Sequence, residues 1–131
     1  MLKPKAYLIT ALLMLILDAV WLTLNKPMYN KLVMGIQNSP LRVNLIPAVI
    51  SYILMYVGMV LLVLPTIKAS KDASFTNVFR IAGIFGLCVY GIFNATNMAI
   101  LKNYSAYVAL MDTLWGTLLY TFVAYIVTRF V

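Results

Sequence analysis

Histidine and glutamate are absent from this 131-residue chain, and cysteine occurs only once. Without histidine, one cysteine and three aspartates cannot supply the ligand sets that zinc or haem iron require. The lone cysteine cannot form an internal disulfide either, so it does not reveal the redox compartment. We therefore expect no metal site and no cofactor.

Charged residues are scarce as well, at 10% of the chain against 64% hydrophobic residues. A helix needs about 20 apolar residues to cross the hydrocarbon core of a bilayer. Four runs of this kind occur, at residues 6–24, 45–67, 81–101 and 107–128. The sequence therefore predicts an all-α integral membrane four-helix bundle, with residues 1–131 forming a single transmembrane domain in contact with the lipid bilayer.

The basic residues give the chain a net charge of +7 and lie singly or in small groups beside the apolar runs. This distribution is typical of membrane flanks, so we expect no nucleic-acid partner. Six of the ten belong to the N-terminus, the second loop and the C-terminus, and four belong to the opposite face. Because cytoplasmic loops retain Lys and Arg, both termini are predicted on the same, cytoplasmic or matrix-like, side.

The first loop, residues 25–44, is the only long one and has a helical pattern of its own. Pro27 suits a first turn and Gly35 suits a helix end. The apolar residues that share one helical face are Tyr29, Leu32, Val33 and Ile36. The loop is predicted either as a short interfacial helix or as an ordered loop packed on the bundle.

Two of the three aspartates, Asp18 and Asp112, lie inside apolar runs, where a carboxylate is costly unless it is paired, protonated or wetted. Each lies six residues from the same membrane surface, or about 9 Å deep. The third run ends and the second begins at that surface, so all four helices bring polar side chains to one predicted layer. The candidate site residues in this layer are Asp18, Trp21, Asn44, Tyr90, Asn94, Thr96, Asn97, Asp112 and Trp115.

The two aspartates share a short pattern in which a tryptophan follows three residues later, as Trp21 and Trp115. This spacing puts each pair on one helical face, where the indole can donate a hydrogen bond to a carboxylate. Both copies lie at the same depth, whereas an inverted repeat would send one copy to the opposite depth. We interpret the pattern as local similarity and not as duplication.

Small residues recur every four positions in the third run, as Gly91, Ala95 and Ala99. This spacing indicates a face on which a neighbouring helix can approach closely. We expect it to serve helix packing.

Three segments together resemble a known family. They are LDAVWL at 17–22, FNATNMA at 93–99 and MDTLWGT at 111–117. In this combination the chain resembles the domain-of-unknown-function 2177 family of small, predicted four-helix membrane proteins. The resemblance implies the fold and an important polar layer but no reaction. The family pattern has aspartate where this chain has Asn94, so a role that needs a carboxylate there is not implied.

Two functions fit these features about equally well. In the first, the layer binds or transports a small ligand, a cation or a proton, with the aspartates providing charge and the tryptophans forming walls. In the second, the chain is a non-catalytic subunit of a larger membrane assembly, such as a respiratory complex or a viral envelope. The layer then only fixes helix register. Self-association is open in both cases.

An intramembrane enzyme is a third possibility, in which the two carboxylates act as acid and base. The apolar runs offer no activated Ser, Cys or His and no phosphate-binding glycine loop. We therefore expect a protein that is not an enzyme and has no catalytic residues.

Overall fold

A computed structural model describes residues 2–131, which form helices and no strand. The helices are α1 (Pro4–Leu24), α2 (Lys26–Gln37), α3 (Leu45–Ser70), α4 (Phe75–Ile100) and α5 (Ala106–Phe130). All but α2 are long and apolar enough to span a membrane. The predicted all-α membrane bundle is therefore confirmed.

The third predicted span begins too late at residue 81, because α4 begins at Phe75. Its first six residues include Thr76, Asn77 and Arg80, and these polar residues hid the start from a search for apolar runs. The side chain of Ser74 accepts a hydrogen bond from the backbone N–H of Asn77, and Arg80 donates to the Asn77 side chain. The Ser74 bond satisfies a backbone N–H at the start of the helix, and the Arg80 bond gives the Asn77 side chain a partner.

The first loop contains the predicted short helix, α2, which contacts α1 and α5. Its apolar face is half-buried, including Tyr29 and Leu32. The expected end at Gly35 is wrong, because the helix continues to Gln37 and ends where Asn38 adopts a left-handed φ of 57°. Asparagine tolerates this conformation better than most residues, so glycine is not required at the end.

Two short π-helical segments, Met59–Val63 in α3 and Phe79–Gly83 in α4, pack against each other. The segment Met59–Val63 lies just before Pro65. In a regular α-helix the ring of this proline would clash with the carbonyl of Leu61. The wider π turn accommodates the proline without ending the helix.

The apolar core lies in the half of the bundle that contains both termini. Its centre includes Met59, Leu64 and Leu119, which are fully buried, while large apolar side chains around the bundle are exposed as expected for contact with lipid. Leu2 and Val131 line one cleft, so the two ends of the described chain lie together. We call this the terminal end; which side of the membrane it faces stays a prediction.

Candidate functional site

Asp18 lies near the end of α1 and is only 7% exposed. The indole nitrogen Nε1 of Trp115 on α5 donates a hydrogen bond of 2.9 Å to its Oδ1. The Tyr52 hydroxyl on α3 donates to its Oδ2. Both carboxylate oxygens thus accept from other helices, and Asp18 ties α1 to α3 and α5.

Asp112 lies near the start of α5 and is half-buried. The Tyr29 hydroxyl on α2 donates to its Oδ1 at 2.6 Å, and Nδ2 of Asn94 on α4 donates to its Oδ2 at 2.7 Å. Asn94 is itself fixed, because Nδ2 also donates to the Tyr90 carbonyl at 2.9 Å and Oδ1 accepts from the Tyr104 hydroxyl at 2.8 Å. Asp112 therefore joins α2, α4 and α5.

The two tryptophans connect these carboxylates. The rings of Trp21 and Trp115 stack with centroids 4.9 Å apart and planes within 3° of parallel. Nε1 of Trp21 donates to the Tyr29 hydroxyl at 2.8 Å, and that hydroxyl donates to Asp112. Neither tryptophan thus bonds to the aspartate of its own copy of the Asp-x-x-Trp pattern. Trp115 donates to Asp18, and Trp21 is linked to Asp112 through Tyr29. We call the whole set the polar network: Asp18, Trp21, Tyr29, Tyr52, Asn94, Tyr104, Asp112 and Trp115.

Two phenols of the network lie outside the spanning helices, and both remain proton donors. Burial raises the pKa of Tyr29 above its ordinary value, and the hydrogen bond to Asp112 raises it further, against an opposing hydrogen bond from Trp21. Burial also raises the pKa of Tyr104, against a hydrogen bond from Asn97. Both hydroxyls therefore keep their protons at neutral pH.

The donors to the two carboxylates are all neutral: two phenol hydroxyls, one indole and one amide. The basic side chains expected at this end are exposed, and among the described hydrogen bonds none of them donates to Asp18 or Asp112. These residues are Lys26, Lys31, Arg42 and Lys102. Neutral donors stabilise a carboxylate without cancelling its charge. Among the described hydrogen bonds, the two carboxylates therefore have neutral partners only.

The candidate residues from the sequence divide into two groups. Asp18, Trp21, Asn94, Asp112 and Trp115 come together as described above. The remaining four are Asn44, Tyr90, Thr96 and Asn97.

Of these four, Asn44 is exposed at the start of α3 and makes no side-chain cap, and Thr96 is exposed on α4. Asn44 lies outside the network because it precedes α3 in an extended, exposed segment, and Thr96 because the rotation of α4 turns it to the outer surface of the bundle. Asn97 lies at the edge, beside the Tyr104 hydroxyl. Tyr90 contributes its backbone carbonyl to Asn94, while its own hydroxyl points to the Met55 sulfur at 3.8 Å.

Three tyrosines of the network were not among the sequence candidates: Tyr29, Tyr52 and Tyr104. Tyrosine is common at membrane interfaces, so its presence carries little signal there. Tyr52 could have been found from depth alone. It lies seven residues into α3, about 10 Å below the surface, which matches the depth estimated for Asp18.

Close packing of α4 on α5 positions Asn94 against Asp112. A Cβ on Gly86 would lie 2.4 Å from the backbone oxygen of Gly116, and a Cβ on Gly116 would lie 2.1 Å from the Tyr90 ring. The expected small-residue face is therefore wrong: at Gly91 the nearest atom would be 3.7 Å away, and Ala95 and Ala99 are exposed. The close approach uses another side of α4, because helix rotation and not spacing alone selects the face.

Four candidate spans around an intramembrane carboxylate network define a polytopic membrane protein of the helical-bundle class. The family described as predicted membrane protein (DUF2177) matches residues 4–128. The chain belongs to this family, as its three motifs indicated. No curated protein and no solved structure matches it.

Proposed function

We propose that the polar network is a cation-accepting site inside the membrane and that the proton is the cation it takes up. The observation that supports this most is the neutrality of every donor to Asp18 and Asp112. Two carboxylates without a cationic partner are costly in a low-dielectric layer, and uptake of positive charge lowers that cost.

Space favours the proton over a larger cation. All four carboxylate oxygens already have donors, and the stacked indoles of Trp21 and Trp115 fill the region beside them. A metal ion would have to displace these donors, and the described residues contain no cluster of three or more carboxylate, thiol or imidazole side chains. A proton needs no cavity, because it adds to a carboxylate oxygen that stays in hydrogen-bond contact with the same tyrosine oxygen.

Protonation of Asp18 preserves its contacts with both Tyr52 and Trp115. A proton adds to Oδ2, and the new O–H donates to the Tyr52 oxygen, while the Tyr52 hydroxyl proton turns away from the carboxylate. Trp115 continues to donate to Oδ1. No heavy-atom contact breaks, so Asp18 can change charge without repacking the helices.

Asp112 offers the second position, with a stricter geometry. Its Oδ2 faces an amide that can only donate, so the proton must add to Oδ1, beside Tyr29. The Tyr29 oxygen then accepts from both Trp21 and Asp112 and must direct its own proton elsewhere. Protonation of Asp112 therefore keeps the hydrogen bond from Trp21, and only the hydroxyl proton of Tyr29 loses its present acceptor. This role requires no catalysis.

Infrared difference spectroscopy on isotope-labelled aspartate tests the proposal, because the chain has only three aspartates. In lipid nanodiscs, acidification of wild type should produce protonated-carboxyl bands with the frequencies of buried groups. Asp18→Asn and Asp112→Asn should each remove one of them. The matched control is Asp72→Asn, since Asp72 is fully exposed in the second loop; it should remove no buried band. A buried-carboxyl band that is present unchanged in both Asp18→Asn and Asp112→Asn would come from neither residue and would end the proposal.

A role as an accessory subunit is supported by a different aspect of the same network, namely that it joins all five helices. In that case the carboxylates fix helix register and need not change charge. The two functions separate in the infrared experiment, because a register-fixing network gives no pH-dependent carboxyl band in the range where the protein stays folded.

A further inference from the structure

A second polar feature lies at the terminal end, far along the bundle from the polar network. It is a cleft of about 310 Å³ between the start of α1, the end of α3 with its following loop, and the end of α5. The lining residues are Leu2, Lys3, Ala6, Ile67, Lys68, Lys71, Asp72, Ala73, Val127, Thr128 and Val131. None of them belongs to the polar network.

The rim of this cleft is basic. Lys3 precedes α1, and Lys71 closes α3 in a left-handed conformation with φ of 57°. Lys68 also lines the cleft and interacts with other groups of the chain. Three lysines from two separate segments therefore line one cleft.

Asp72 is the only acidic side chain in the lining, and it is engaged in the loop. Its Oδ1 accepts the backbone N–H of Ser74 at 2.9 Å. This bond holds the pKa of Asp72 below its usual range. The carboxylate is thus committed to the turn before α4, and the rim keeps an excess of positive charge.

The floor of the cleft is apolar and continuous with the core. Ala6 is 4% exposed, Ile67 1% and Val127 2%. A basic rim over an apolar floor matches a molecule with an anionic group next to hydrocarbon. A free phosphate ion would use the rim and leave the apolar floor without a partner.

We propose that this cleft binds the headgroup of an anionic phospholipid from the leaflet at the terminal end. The lipid phosphate lies between Lys3 and Lys71, and the glycerol and first acyl carbons cover the floor. Basic pockets between spanning helices recognise anionic headgroups by this combination of charge and contact. The excess of Lys and Arg at this end agrees with the leaflet in which anionic lipids are usually found.

Native mass spectrometry of the full chain in mild detergent tests the proposal, with added phosphatidylglycerol or phosphatidylcholine of the same acyl chains. Phosphatidylglycerol should bind more tightly to wild type. Each of Lys3→Gln and Lys71→Gln should weaken it about fivefold, and the double variant about 25-fold, since one basic residue near an anionic surface contributes about that factor. The charge-matched control is Lys31→Gln with Lys102→Gln, which removes two exposed lysines at the other end and should leave binding unchanged.

Three results would overturn the assignment. One is equal binding of the two lipids to wild type. Another is an equal loss in the control variant, which would show only a general charge effect. The third is displacement of phosphatidylglycerol by an equal concentration of inorganic phosphate, which would show an anion site without lipid selectivity. Because the lysines are exposed, the variants should have the same melting temperature as wild type. The melting temperature of each variant is measured in the same detergent.

Discussion

Gly86→Ala is expected to cost about 3 kcal/mol of stability, at the upper end of the usual effect of overpacking. The added Cβ would lie 2.4 Å from the backbone oxygen of Gly116. A backbone atom in the middle of a helix cannot turn aside, so α4 and α5 must separate. Separation would also pull Asn94 away from Asp112, and the polar network would lose its link to α4.

The matched control for this variant is Gly91→Ala on the same helix. Its Cβ would lie 3.7 Å from the nearest atom, a methyl carbon of Thr113, which is an ordinary contact. Unfolding in a denaturing detergent titration should therefore begin much earlier for Gly86→Ala and at or slightly above the wild-type point for Gly91→Ala. Equal behaviour of the two variants would contradict the packing of α4 on α5.

Gly116→Ala provides a check on the same interface from the other helix. Here the added Cβ would overlap the Tyr90 ring, at 2.1 Å from its Cγ. A side chain can be shortened, unlike a backbone oxygen. Tyr90→Ala should therefore restore part of the stability lost in Gly116→Ala, and it should restore none of that lost in Gly86→Ala.

Asp112→Asn is expected to destabilise the protein by about 2 kcal/mol, whereas Asp18→Asn should cost less than about 1 kcal/mol. An asparagine offers one acceptor and one donor where aspartate offers two acceptors. At position 18 the amide oxygen can accept from Trp115, and the amide N–H can donate to the Tyr52 oxygen once that hydroxyl rotates. At this site the Tyr52 oxygen accepts from no other group, so it can take the amide N–H, and only the Tyr52 hydroxyl proton must find a new acceptor.

Position 112 lacks this freedom. One oxygen of Asp112 faces the Asn94 amide, whose orientation is set by the Tyr90 carbonyl and the Tyr104 hydroxyl. The other faces Tyr29, whose oxygen already accepts from Trp21. An amide N–H on the first side meets the N–H of Asn94, and on the second side it must share an oxygen that already accepts from Trp21. One donor is then poorly satisfied in either orientation, and a buried donor of this kind costs about 1–3 kcal/mol.

Thermal unfolding in detergent, compared across single variants, measures this difference. Leucine at position 18 or 112 should be worse than asparagine at the same site, because both donors then lose their acceptor. Asp72→Asn is the control, since asparagine can still accept the Ser74 N–H. If Asp18→Asn and Asp112→Asn melt at the same temperature, the hydrogen-bond assignments around Asn94 and Tyr29 are wrong.

The sequence predicted the spans and the presence of a polar layer for a clear physical reason. Apolar runs and buried charges are properties of single segments, and depth follows from counting residues along a helix. Asp18, Asp112 and Asn94 were found in this way. The start of α4 was missed because polar residues interrupt its apolar pattern there, where the Ser74 cap and the contact of Arg80 with Asn77 stabilise the helix.

Partner choice inside the layer could not be derived from spacing. Whether Trp115 meets Asp18 or its own neighbour Asp112 depends on how α1 and α5 rotate against each other. The rotation of α4 against α5 is set by close packing at Gly86 and Gly116. The same rotation turns Thr96 outward. Helix period limits the possible faces, while close contacts between helices select one of them.

The pairing of Trp115 with Asp18 on another helix is most directly measured by the indole N–H resonances in a nitrogen–proton NMR spectrum of the protein in nanodiscs. The chain has only two tryptophans, so two signals are expected, and Trp115→Phe assigns them. Asp18→Leu should shift the Trp115 signal more than that of Trp21, although Trp21 is only three residues away on the same helix. Asp72→Asn should move neither signal. A Trp115 resonance that does not respond to the loss of Asp18 would contradict the network on which the proposed function depends.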